Sequence, residues 1–87
     1  PDRFERAKLW AFLLPKKAMG SNIDFQRLGD GFEMSGGHIK NAVFRACIQA
    51  ASKNTFVTTE MLWDAGVHEY REMGHVIRDV NEDEELY

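Results

Sequence analysis

From Ile39 to Ala50 the chain is committed to an α-helix. Ile39, Ala42, Val43, Ala46, Cys47 and Ala50 recur at i, i+3, i+4, i+7, i+8 and i+11, the spacing of one helical face. Phe44, Ile48 and Ala51 are expected to widen that face, leaving Lys40, Asn41, Arg45 and Gln49 as the polar side. The small alanines let neighbouring helices approach closely, so this segment is expected to be the central helix.

The prolines and most glycines fall between periodic segments and divide the chain into four helices. A first helix is expected over 2–14, with Phe4, Ala7, Trp10, Ala11 and Leu14 on one face. Asp2 is its N-cap, and Pro15 ends it because the ring clashes with the preceding turn. After a turn-rich linker, Asp24 should cap a short second helix, with Ile23 and Leu28 placed to form a hydrophobic staple. Gly31 ends that helix, and Phe32 and Met34 pack from the loop beyond it. Thr58-Thr59-Glu60 opens a fourth helix that runs to Met73, with Gly74 as its C-cap. Phe56 and Val57 are expected to add a brief extended segment. The expected fold is all-α, with a globular part over 1–76 and a flexible acidic tail over 77–87.

Charge narrows the function classes. The formal net charge is -3, and four consecutive acids, Glu82 to Glu85, carry much of it, so no basic excess supports non-specific nucleic-acid binding. The apolar stretch Leu9 to Leu14 is far too short to span a bilayer. The single cysteine, Cys47, cannot form an internal disulfide and suits a reducing, cytoplasmic compartment. Pro1 in place of methionine raises the expectation of a domain cut from a longer protein.

Taken in order, these signals resemble the C-terminal helical lid of AAA+ ATPases. The likeness begins with Pro1-Asp2-Arg3-Phe4-Glu5-Arg6, Trp10 and Leu14-Pro15, and continues through Asp24 and Leu28. The segment from Phe32 to Ala42 is similar to the sensor-2 region, where a small-residue turn opens the third lid helix. Val57 to Leu62, Ala65 and Glu69 to Gly74 resemble the last lid helix. The likeness covers residues 1–76, and its strength lies in the order and spacing of the motifs rather than in any one of them.

The resemblance implies a lid subdomain that closes over ATP or ADP with magnesium held by a core domain of the same chain. It also implies contact with neighbouring subunits of a homo-oligomeric, hexameric ring that works on a protein substrate. Gly36 and Gly37 match the small pair that lies against the nucleotide, and a helix N-terminus behind them is a natural neighbour for an anion. Without the resemblance, Ser35-Gly36-Gly37 reads as a loop that caps a helix. His38 stands where many members of the family carry an arginine that contacts the terminal phosphate. Lys40 could substitute, although it projects about 200° around the helix from His38. No G-x-x-x-x-G-K-[ST] phosphate loop occurs, so no catalytic residue and no bound cofactor are expected in this chain alone.

Other constellations read as structure first. His68, Glu72 and His75 share a helical spacing that could hold a metal, but no cysteine pair supports a site and a solvated polar face is the simpler account. Cys47 reads as a small core residue. Trp63 falls off the main apolar stripe and is expected to mark an exposed contact surface. The alternative function is a free-standing helical module that binds a partner protein or DNA. For DNA, the third helix offers only Lys40, Arg45 and Lys53.

Overall fold

A computed structural model of the chain describes residues 1–75. Among them the fold is all-α, in the order α1 (Arg3–Leu13), α2 (Phe25–Gly31), α3 (Gly36–Ser52) and α4 (Thr59–Tyr70), closed by a π turn over Arg71–His75. The acidic tail expected over 77–87 lies outside the described residues.

Each helix begins on a side chain that satisfies an otherwise orphaned amide. Asp2 accepts from the Glu5 amide at 2.8 Å while the Glu5 carboxylate accepts from the Asp2 amide at 2.9 Å, a reciprocal capping box. Asp24 accepts from the Arg27 amide at 3.0 Å, and Thr58 from the Met61 amide at 3.2 Å. Leu28 is fully buried and Ile23 half-buried, as the staple requires. Gly74 adopts φ 95°, a left-handed conformation that suits glycine, so the chain leaves the helical path where the sequence places a C-cap. The extended segment forms too: Val57 donates to the Ala18 carbonyl at 2.7 Å and accepts from the Gly20 amide at 2.9 Å.

The core is where α3 meets its neighbours. Ile39, Ala42, Val43, Ala46 and Ala50 are buried on α3 and share one core with Trp10 of α1, Leu14 at its C-cap, Leu28 of α2, and Leu62 and Ala65 of α4. Phe32, at the end of α2, packs its ring 4.6 Å from that of Trp63, 6.1 Å from Tyr70 and 6.2 Å from Trp10. The same ring lies directly on Gly66 of α4.

Several expectations are corrected. Phe44 and Ile48 do not widen the buried face of α3 but stand out from it, 67% and 55% exposed, and Ala51 is also exposed. The apolar arc of α3 is broader than the surface its neighbours cover. Phe4 is likewise exposed on α1. Arg6, although charged, is buried, where its Nε donates to the Gly29 carbonyl and an Nη to the Pro1 carbonyl, both at 2.9 Å. Gly29 makes this possible, because a Cβ there would meet the Ala7 amide nitrogen at 2.8 Å. Trp63 is half-buried rather than an open contact surface. It covers Gly31 and carries the Arg27 guanidinium 4.4 Å above its ring, while Arg27 also pairs with Glu60 at 2.8 Å. The fourth helix ends at Tyr70, and the π turn carries the chain on through Met73.

Gly66 gives the fold its sharpest test. A Cβ at this position would come within 2.7 Å of the Phe32 Cζ, so the ring must shift and disturb its aromatic neighbours. Gly66→Ala is expected to destabilise the chain by about 1–3 kcal/mol despite alanine's higher helix propensity. Urea unfolding of the two proteins measures the difference.

Candidate functional site at the start of the third helix

The loop between α2 and α3 is held at both ends. Phe32 and Met34 are buried, and Ser35 then caps α3, its Oγ accepting from the His38 amide at 3.3 Å. Gly36 and Gly37 are therefore not a turn ahead of the helix, as their composition suggests, but its first two residues. Amides in that first turn have no preceding helical carbonyl to bond, and the helix dipole adds partial positive charge there.

These two glycines differ from others in the fold. At Gly20, Gly29, Gly31 and Gly66 an added Cβ would collide with backbone or with an aromatic ring. At Gly36 it would meet Leu9 Cδ1 at 3.6 Å, and at Gly37 Ser35 Oγ at 3.8 Å, both ordinary contacts. Neither has a positive φ; among the described glycines only Gly74 does. Nothing in the packing of the described residues requires glycine at 36 or 37.

His38 follows on the same helix end and is fixed by a neighbour that the sequence reading missed. Its Nδ1 lies 2.8 Å from Glu69 Oε1, and Asn41 Nδ2 donates to the same oxygen at 3.1 Å. Burial raises the pKa of the Glu69 carboxyl, but hydrogen bonds from His38 and Asn41 and the charges of His38 and His68 outweigh it, holding the group below the ordinary carboxylate value. An ionised carboxylate only accepts, so Nδ1 carries a proton and Nε2 takes no part in the contact with Glu69. His38 is therefore a clasp between the start of α3 and the end of α4. Lys40 is exposed and makes no ion pair among the described residues.

A signal for Glu69 was present in the sequence. Leu62, Ala65 and Glu69 fall at i, i+3 and i+7 on the buried face of α4, so a carboxylate there needs a partner. The partner lies 31 residues earlier in the chain, beyond the reach of any local pattern. His68 Nε2 approaches Glu72 at 3.4 Å, but no set of three potential ligands gathers for a metal among the described residues. Cys47 is half-buried, and desolvation raises its thiol pKa, the opposite of nucleophile activation. No helix among the described residues is long and apolar enough to cross a membrane. Comparison with known proteins finds no matching family model, no similar curated protein and no similar solved structure.

The depressed Glu69 pKa fixes the sign of a pH effect. The ionised group stabilises the fold above the carboxylate range, and that stability is lost as pH falls through its folded value. The stability difference between the wild-type chain and Glu69→Gln should therefore be largest near neutral pH and shrink below about pH 4. Urea midpoints at neutral and acidic pH measure it; an unchanged difference would contradict the assignment.

Proposed function

We propose that this chain is the lid of an AAA+ ATPase, closing over a nucleotide bound by a core domain of the same polypeptide. The observation that carries the reading is the pair Gly36 and Gly37: two glycines open a long helix where the described packing has room for side chains. Bare backbone at a helix N-terminus is useful to a group that approaches from outside, and a nucleotide is such a group. The order of the capping and apolar motifs along residues 1–76 supports the same reading.

In this reading the nucleotide base and ribose lie against Gly36 and Gly37, with the first turn of α3 facing the phosphates. His38 replaces the arginine of many family members. With Nδ1 committed to Glu69, only Nε2 can address a phosphate, and it donates only when the imidazole is protonated. Lys40 offers a longer-range charge. ATP binding and hydrolysis alter the angle between core and lid, a rigid-body hinge movement. The ring of subunits, a hexamer, converts that movement into work on a protein substrate, in the cytoplasm. Arg6 ties the Pro1 carbonyl to the body of the domain, so the hinge falls at or before Pro1. Magnesium and most of the nucleotide pocket belong to the core, and the 87-residue chain alone is expected not to hydrolyse ATP.

The test is Gly37→Arg, in the full-length protein and in the 87-residue chain. In the full-length protein the bulky side chain should weaken nucleotide binding and slow turnover. In the isolated chain, where among the described residues the new Cβ would make an ordinary contact with Ser35 Oγ at 3.8 Å, stability should change by less than about 0.5 kcal/mol. Unchanged nucleotide affinity in the full-length variant would overturn the site assignment.

A further inference from the structure

Glu69 is a costly residue where it stands. It lies on the buried face of α4 with Leu62 and Ala65, its side chain 9% exposed, and a carboxylate taken out of water needs partners. Two residues of α3 supply them at a single oxygen: His38 Nδ1 at 2.8 Å and Asn41 Nδ2 at 3.1 Å both meet Oε1. To hold α3 against α4, well-packed apolar side chains of similar volume would serve as well, because a buried charged contact repays little beyond its own desolvation. A carboxylate does something that an apolar group cannot, which is to dictate the state of an imidazole. Whether His38 is neutral or protonated, it donates Nδ1–H to the ionised Glu69. The imidazole therefore keeps one direction, and the same nitrogen, Nε2, for its remaining bond. Its side chain is still 37% exposed, in the first turn of α3 beside Gly37.

We propose that Glu69 is a positioning residue for the nucleotide: supported by Asn41, it fixes the proton and the orientation of the His38 imidazole, so that Nε2 meets the nucleotide already aimed. This rests on the lid reading, in which His38 faces a nucleotide held by the core. A side chain ordered in advance does not have to be ordered at the moment of binding, and that saving appears as affinity. Glutamine at 69 would keep the size of the side chain and remove the instruction. Its amide can turn to donate as well as accept, so the imidazole could bind it in either tautomer. Glu69 touches no nucleotide in this scheme and acts only through His38.

A double-mutant cycle in the full-length protein tests it, with ADP affinity as the readout. Glu69→Gln should weaken ADP binding roughly tenfold, about the worth of one hydrogen bond to a charged group. In a His38→Ala background the same substitution should change affinity by less than about twofold, because no imidazole is left to aim. Equal losses in the two backgrounds would make Glu69 a scaffold residue alone and overturn the proposal. Unchanged affinity in Glu69→Gln, while Gly37→Arg still weakens ADP binding, would also overturn it and leave the nucleotide reading standing. If Gly37→Arg changes nothing, the nucleotide reading falls and takes this inference with it. Nitrogen NMR shifts of the His38 imidazole in the 87-residue chain give a readout that needs no nucleotide. The neutral imidazole should carry its proton on Nδ1 in the wild type and share it between both nitrogens in Glu69→Gln, whose remaining spectrum shows whether it is folded. A neutral wild-type imidazole protonated on Nε2 would equally overturn the proposal.

Discussion

The architecture depends on one close approach, the ring of Phe32 lying on the backbone of Gly66. That contact lets the end of α2 sink against α4, and it gathers Trp10, Trp63 and Tyr70 around a single ring. The ring pairs are tilted by 43° to 55° rather than stacked face to face, an arrangement that ring quadrupoles favour. The consequence reaches the start of α3. With Phe32 and Met34 anchored, Ser35 emerges at the surface and α3 starts in a fixed direction. The alanine face of α3 completes the framework, since Ala42, Ala46 and Ala50 are buried with little side chain to hold neighbours apart. Arg6 adds a polar tie, converting the carbonyl of Gly29 from a desolvated acceptor into a bonded one.

Local rules were legible from the sequence because their chemistry is local. Asp2, Asp24 and Thr58 cap the helices they precede, and Gly74 takes the left-handed conformation where the last helical path breaks. The errors share one cause: helical periodicity says which side chains are apolar on one arc, not how wide an arc the partners will cover. Phe44 and Ile48 lie at the edge of the α3 arc and stay in water, whereas Trp63 is pulled inward by Gly31, Phe32 and Arg27. The partners of buried charge were illegible for a related reason. Arg6 and Glu69 each find partners more than 20 residues away, which no spacing rule can supply.

The candidate site was legible in part. Gly36, Gly37 and His38 do sit together at one helix end, but glycine pairs in a sequence cannot be sorted by purpose until their surroundings are known. Several glycines here exist because backbone or ring atoms occupy the space of a side chain. The pair opening α3 has no such neighbour, and that contrast moves the explanation outside the described packing. Glu69 engages Nδ1 of His38 and leaves Nε2 for other partners. The clasp also ties the start of α3 to the end of α4.

The proposal that an outside group occupies the space in front of Gly36 and Gly37 can be measured at their amides. Hydrogen–deuterium exchange of the segment from Met34 to Asn41, followed in the full-length protein with and without ADP, reads that space directly. Protection of the Gly36 and Gly37 amides on nucleotide addition, with the buried face of α3 unchanged, is the expected result. Identical exchange in the two states, while ADP is bound elsewhere in the same molecule, would contradict the account.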